Sequence, residues 1–142
     1  MNANGVSVKT TYDNLGRVLA RTYPDGGVEK FEYSTRGLVT YTNQLNQVTR
    51  LGYDALGRKI AETNANSEVI RYTYNAEGDL LTLTDGKNQV TTWQYDQFGR
   101  ATNKIDPAGT TVLRFQYNAL GRLTSQWSVA KGETLYGYDP EG

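Results

Sequence analysis

Short runs of alternating apolar and polar residues recur along this chain, divided by clusters of Asp, Asn, Gly and Pro. The clearest runs are Val28–Tyr33, Val69–Tyr74, Val90–Tyr95 and Val112–Tyr117. Each closes on a Tyr, with another large apolar group two residues earlier. Phe31, Leu51, Tyr72, Trp93, Phe115 and Tyr136 hold that earlier position. Glu32, Gly52, Thr73, Gln94, Gln116 and Gly137 lie between. A spacing of two puts both large groups on one face of a strand and the intervening residue on the other. The pattern predicts strands with one better-packed face, carrying a Tyr/Phe/Trp stripe, and one wetter face. Val28, Val48, Val69, Val90 and Val112 share the parity of the wetter face. They are expected near strand starts, where a twisted or bulged sheet covers them. Trp93 belongs to the stripe and is expected to pack there; Trp127 lies outside it.

The closing Tyr is part of a longer period. A Tyr is followed four residues later by Gly seven times. The pairs are Tyr12 with Gly16, Tyr33 with Gly37, Tyr53 with Gly57, Tyr74 with Gly78, Tyr95 with Gly99, Tyr117 with Gly121 and Tyr138 with Gly142. Successive Tyr are 20 to 22 residues apart. A fixed period of this length means one supersecondary unit copied along a stack. Asp or Asn follows the Tyr in every copy except Ser34. A short polar side chain there can bond backbone N–H groups two residues on, and Gly three residues later suits a left-handed backbone. Together they predict a type I turn closed by a Gly bulge, a common hairpin connection.

Arg follows the Gly at Arg17, Arg58, Arg100 and Arg122, with Leu38 and Asp79 as exceptions. These Arg are expected to lay their stems over the motif Tyr ring and pair with a nearby Asp; the alternative is a ligand-binding row. A second, more variable turn follows the next strand, as at Pro24–Gly27, Asn64–Asn66, Asp85–Asn88 and Asp106–Gly109. The predicted fold is all-β: antiparallel hairpin repeats of about 21 residues forming a curved or spiralling sheet of about twelve strands, since open twisted sheets seldom exceed about ten without curling. Residues 1–5 are expected to be a disordered start. Residues 6–142 are read as one tandem array of about six hairpins, uncapped at both ends, whose strand edges can pair with further repeats or with copies of itself.

Composition narrows the function. Of 142 residues only 37% are hydrophobic, so a lean core is expected. Tyr is prominent, 11 against 3 Phe and 2 Trp. Net charge is zero, which offers no basic footprint for nucleic acid and little protection against self-association. The chain has neither Cys nor His, which excludes disulfides, thiolate chemistry, Cys/His zinc sites and His-based triads. No apolar run approaches the roughly 18 residues of a membrane-spanning helix, and the first residues do not read as a signal peptide. No metal or cofactor is expected: the Asp-rich turns lack the closing Glu and dense oxygen ligands of calcium loops. A two-carboxylate glycosidase is disfavoured because the motif Asp recur once per repeat and already have a turn-forming role.

Tyr-Asp-x-x-Gly-Arg stands in full at Tyr12–Arg17, Tyr53–Arg58 and Tyr95–Arg100, and Tyr117–Arg122 differs only at its second position. Seven copies in register over residues 6–142 resemble the YD repeat of the RHS family. In bacterial polymorphic toxins and the C components of insecticidal toxin complexes, long arrays of these repeats form a hollow shell, a spiralling strip of antiparallel sheet around a toxic C-terminal domain. Teneurins carry a related shell. The resemblance implies a structural segment of such a shell, with further repeats and a toxin cargo polypeptide as partners. It also implies a parent made in a bacterial cytoplasm and then secreted or displayed. Nothing here matches the family's self-cleaving aspartyl-protease region, so no catalytic residue is carried over. The competing reading is a carbohydrate- or protein-binding repeat module of a cell-surface or secreted protein, with Trp127 as the candidate ligand contact.

Overall fold

A computed structural model describes residues 7–140; the proposed disordered start, Val6, Glu141 and Gly142 lie outside the described residues. Among those described there are thirteen strands and no helix. The chain divides after Ile70 into two compact units. The first carries β1 (Lys9–Tyr12), β2 (Val18–Thr22), β3 (Val28–Ser34), β4 (Gly37–Thr42), β5 (Val48–Tyr53) and β6 (Lys59–Thr63). Beginning at the division come β7 (Val69–Tyr74), β8 (Leu80–Thr84), β9 (Val90–Tyr95), β10 (Ala101–Ile105), β11 (Thr111–Tyr117), β12 (Leu123–Ser128) and β13 (Gly132–Leu135). Within each unit every strand pairs antiparallel with its neighbours in sequence. The all-β hairpin reading therefore holds, with thirteen strands where about twelve were expected.

The motif turns have the predicted chemistry. Gly16 N–H donates to the Asp13 carbonyl at 3.1 Å, and Asp13 N–H to the Arg17 carbonyl at 2.9 Å. Gly16 sits at φ 76, in the left-handed region that costs a residue with a Cβ about 1–2 kcal/mol. Gly57 (φ 78), Gly78 (φ 99), Gly99 (φ 76) and Gly121 (φ 80) close their turns in the same way. Their N–H groups donate to the carbonyls of Asp54, Asn75, Asp96 and Asn118 at 3.1, 3.2, 3.0 and 2.9 Å. The turn at Ser34, the one copy without Asp or Asn, departs: Gly37 lies at φ 136, and Ser34 pairs directly with it as a strand partner.

The second turns, expected to be more variable, repeat the same hydrogen bonds. Asn46, Ser67 and Asn88 N–H groups each reach back to the carbonyl three residues earlier, as Gly26 and Gly109 do. All five have positive φ. Composition varies there because Asn and Gly both tolerate this conformation. Ser67 (φ 63) tolerates it less well, so Ser67→Gly is expected to raise stability by about 0.5–1 kcal/mol, read as a higher urea midpoint.

The strands hold a feature that the residue pattern did not reveal. In each motif hairpin the register slips just before the Tyr, so that the facing strand carries one extra residue. Thr11 faces Ala20 but Tyr12 faces Val18; Gly52 faces Ala61 but Tyr53 faces Lys59; Gln116 faces Ser125 but Tyr117 faces Leu123. These are β-bulges, which bend a strand and increase its twist.

The lean core is corrected to none: no hydrophobic side chain is buried among the described residues, and Ser125, at 5% exposure, is the one buried polar residue. A sheet without a second layer leaves each side chain only its neighbours on the same face as cover. The alternation survives in graded form. In β7 the exposed Arg71 and Thr73 alternate with half-buried Ile70, Tyr72 and Tyr74. The five valines open their strands as expected, except that β11 begins one residue earlier, and Val90 is exposed.

Candidate functional site

Side chains converge at the joins between repeats. Each begins with the motif carboxylate. Asp13 Oδ1 accepts the N–H groups of Leu15 and Arg17, both at 2.9 Å, and its Oδ2 accepts Arg17 Nε at 2.7 Å. Asp54 and Asp96 repeat the arrangement with Arg58 and Arg100. The bonds favour the charged form, so all three carboxyls titrate below their ordinary range. The Arg backbone N–H is the main cause at Asp13 and Asp54, and the Arg100 side chain at Asp96.

The Arg, held by its own Asp at Arg17 and Arg100, reaches into the following repeat. The guanidinium carbon of Arg17 lies 4.6 Å from the Tyr33 ring centroid, Arg100 4.5 Å from Tyr117 and Arg122 4.5 Å from Tyr138. The ring covered is thus the next motif Tyr, one repeat on from the Asp-Arg pair. Cation–π contact of this kind contributes about 0.5–1 kcal/mol at partly exposed sites.

The Tyr hydroxyl completes the join. Tyr53 donates to the Leu38 carbonyl (2.9 Å), Tyr95 to Leu80 (2.8 Å), Tyr117 to Ala101 (2.9 Å) and Tyr138 to Leu123 (2.6 Å). Leu38, Leu80, Ala101 and Leu123 are the residues that face the previous motif Tyr across the bulge. A bulge disturbs the ladder, and backbone carbonyls out of water need a donor. The hydroxyl supplies one, which is the physical reason the position is Tyr and not Phe.

The motif residues therefore divide between two places. Asp, Arg and Tyr meet at the join through their side chains, whereas the glycines set the turns. Gly16, Gly57, Gly78, Gly99 and Gly121 are exposed at the turns, where they supply the left-handed backbone. Gly37, at the Ser34 turn, is half-buried and opens β4. The glycines set the turn, and at two positions they also border the join: a Cβ added to Gly121 would lie 3.4 Å from Arg100 Nη1, and one added to Gly37 3.6 Å from the Tyr53 hydroxyl.

Two exceptions show the parts working together. Where Asp79 replaces Arg, Asn75 replaces Asp: Asn75 Nδ2 donates to Asp79 Oδ2 at 3.1 Å, and Asn75 Oδ1 accepts Asp79 N–H at 2.7 Å. Asp79 therefore belongs to a paired exchange. Burial and then the Asp79 charge push the Tyr95 hydroxyl above its usual range. At Asn118 the second half of the exchange is missing. Arg122 remains, and its Nε is buried without a hydrogen-bond partner. Asn118→Asp is expected to supply that partner and stabilise the chain by about 0.5–1 kcal/mol, read from urea unfolding at neutral pH. No gain would mean that Arg122 Nε is already satisfied in solution.

One carboxylate does break the repeat, and residue-by-residue reading missed it. Glu29 Oε2 accepts the Tyr23 hydroxyl and its Oε1 the Tyr41 hydroxyl, both at 2.9 Å, with Arg21 3.6 Å away. The Tyr23 bond, then the Tyr41 bond, hold Glu29 below the ordinary carboxylate range. Other repeats carry Thr49, Ile70, Thr91 or Leu113 at this place. That contrast was the available signal. With both oxygens engaged, Glu29 serves as a clasp across β3 and β4, and Tyr41 also packs on Phe31 at 5.2 Å.

Trp93 lies on the face of the aromatic stripe, cross-strand from Lys104. Trp127 lies on the opposite, polar face. Its cross-strand neighbours are Arg114 and Glu133, and Asn103 bridges Arg114 to Gln94 in the same row. Arg114 covers the Trp127 ring at 5.1 Å, and Asn103 Nδ2 donates to Gln94 Oε1 at 2.8 Å. Among the described residues no cluster of three or more Asp, Glu, His or Cys could hold a metal, and no helix is long and apolar enough to cross a membrane.

Comparison with known proteins places this geometry. The chain is 28% identical over 144 residues to double-stranded DNA deaminase toxin A of Burkholderia cenocepacia (strain H111), covering 86% of this chain and 10% of the toxin. Its fold matches the crystal structures of TcdB2-TccC3-TEV (TM-score 0.70, 19% identity) and TcdB2-TccC3 (0.68, 18%), and a solved structure of a Photorhabdus luminescens Tc holotoxin pore (0.64, 18%). Each match covers 91% of this chain and 8% of the larger one. The chain thus spans about a tenth or less of the length of these relatives. The RHS Repeat family model matches residues 1–28, 33–69, 74–111 and 95–133, and with the recurring Tyr-Asp-x-x-Gly-Arg joins behind those matches, the chain belongs to the RHS repeat family.

Proposed function

We propose that this chain is a wall segment of an RHS-repeat shell that encloses a toxic cargo polypeptide, and that its part is structural and not catalytic. The observation that carries this reading is the join itself: Asp, Arg and Tyr of successive repeats are engaged with one another and with the backbone. Side chains committed to holding a sheet together serve a barrier. The toxins and toxin-complex structures it resembles are far longer, so enclosure would fall to the whole array. Further repeats meet the chain through strand edges, and cargo is held by exclusion and weak contacts.

Segment exchange tests this. Residues 7–140 replace the matched segment of the deaminase toxin, and trypsin sensitivity of the polypeptide after the array is followed. The expected result is protection equal to that in the unmodified toxin. An exchanged protein that assembles but leaves that polypeptide open to trypsin would overturn the proposal.

A second reading rests on Trp127. It is an aromatic ring on the polar face, in a row with Arg114, Asn103, Gln94 and Glu133. Such a row offers a sugar ring a stacking surface beside amide and charged partners. Trp127→Ala is expected to abolish glycan-array binding with circular dichroism unchanged. Absence of any glycan binding by the unsubstituted chain removes this reading.

A further inference from the structure

We infer that the join between Asp79 and Tyr95 is a binding site for a guanidinium group, supplied by an arginine side chain of another polypeptide and held over the Tyr95 ring against the Asp79 carboxylate. At other joins the chain fills this position itself. Arg17, Arg100 and Arg122 hold their guanidinium carbons 4.6, 4.5 and 4.5 Å from the ring centroids of Tyr33, Tyr117 and Tyr138. Arg17 Nη1 also donates to the Ser34 carbonyl, next to the covered Tyr, at 3.4 Å. Three joins thus show what the position takes: a planar cation over the ring. The Asp79 join keeps the ring and lacks the cation. Among the described residues no Lys or Arg lies over Tyr95, and none forms an ion pair with Asp79.

Charge and shape select the ligand. Asp79 is too short to cover the ring as Arg does, yet it reaches the next motif turn in the same way. A Cβ on Gly99 would lie 3.7 Å from Asp79 Oδ2, as one on Gly121 would from Arg100 Nη1 at 3.4 Å. A carboxylate therefore stands where other joins hold a cation, beside a ring whose face is itself negative. Its charge is felt at the Tyr95 hydroxyl. Asp79 Oδ2 accepts Asn75 Nδ2, and Oδ1 has no partner among the described residues. The motif cations on either side are committed, Arg58 to Asp54 and Arg100 to Asp96, both through Nε at 2.7 Å. Leu38, which replaces Arg at the Tyr53 join, brings no charge, so that join offers no such site. A guanidinium suits the Asp79 join better than an ammonium: it stacks on aromatic faces, points several N–H groups in one plane and is less strongly hydrated. One ring and one half-exposed carboxylate make a weak site, so millimolar binding is expected. The inference needs only this join and does not rest on the shell reading.

The test is a titration of the intact chain, carrying 13C-labelled tyrosine, with N-acetyl-arginine amide at constant ionic strength. The Tyr95 ring signals should shift saturably, and those of Tyr117, which already carries Arg100, should stay in place. N-acetyl-citrulline amide, the neutral analogue, should move neither, and N-acetyl-lysine amide should bind more weakly. Guanidinium chloride should also bind more weakly; equal or tighter binding would mean that a small free cation, and not a polypeptide, is the ligand. Asp79→Asn should weaken binding about fivefold. The decisive variant is Asn75→Asp with Asp79→Arg, which restores the Asp–Arg pair of the other joins. It should abolish binding while keeping the circular dichroism and the urea midpoint, so the loss cannot come from unfolding. No saturable shift at Tyr95, an equal shift with the citrulline analogue, or binding that survives in the double variant would overturn the inference.

Discussion

Replacing Tyr117 by Ala is expected to destabilise the chain by about 2–3 kcal/mol, while Tyr117→Phe costs about 1 kcal/mol. The difference follows from the three roles of the side chain. Its hydroxyl donates to the Ala101 carbonyl at the bulge, its ring carries Arg100, and its half-buried surface covers the join between repeats. Phe removes only the first. Ala removes all three and also leaves Arg100 without the surface it lies on. Stability in a repeat array is close to a sum of nearest-neighbour terms, so the loss should be local to that join. Tyr12, which is 58% exposed, should lose much less on the same change, about 0.5 kcal/mol. Urea midpoints of Tyr12→Ala, Tyr117→Ala and Tyr117→Phe provide the measurement. Equal values for the two Tyr117 variants would show that the ring contributes nothing beyond its hydroxyl.

The second large effect is loss of stability in acid. Asp13, Asp54, Asp96 and Glu29 all titrate below their ordinary values in the folded chain. A group whose folded pKa is depressed holds its proton less tightly folded than unfolded. Its contribution is therefore complete above the unfolded values, about 3.9 for Asp and 4.3 for Glu, and is lost as pH falls through the folded values. The urea midpoint should stay level from about pH 6 to 8 and fall steeply below about pH 4. The triple variant Asp13→Asn, Asp54→Asn, Asp96→Asn should flatten the acid limb. Asn keeps the backbone acceptor, as Asn118 does with Leu120 and Arg122 N–H, but has no charge to lose. A wild-type midpoint unchanged between pH 7 and pH 3 would contradict this account.

How far the fold was legible in the residues differs from feature to feature. The Tyr-to-Gly period and the Asp after the Tyr led directly to the turns, because turn chemistry is local: Asp13, Leu15 and Gly16 are within four residues of one another. The two faces of each strand followed from spacing alone. The second turns looked variable because Asn46, Ser67, Asn88, Gly26 and Gly109 differ as residues, although their backbones agree. The core was overestimated because counting apolar residues does not reveal whether a second layer exists to bury them. Glu29 was passed over among many acidic residues, since its two Tyr partners come from either side of it in sequence and meet it only through pairing of the strands.

The sequence by itself determined the hairpin unit, its period of about 21 residues, which side chains share a face, and the family. Each of these depends on backbone preferences and side-chain parity within a few residues. Tertiary structure alone decided the partners. It placed Arg17 on Tyr33 and Arg100 on Tyr117, sent the Tyr53 hydroxyl to the Leu38 carbonyl, put Trp127 on the polar face and left Arg122 Nε alone. Those contacts join residues on different strands, commonly 15 to 17 positions apart. They depend on cross-strand register, and the bulge opposite each motif Tyr shifts that register by one. A one-residue shift exchanges the faces of a strand, so the local pattern gave the kind of partner, a motif Tyr ring for Arg, but not which repeat supplies it.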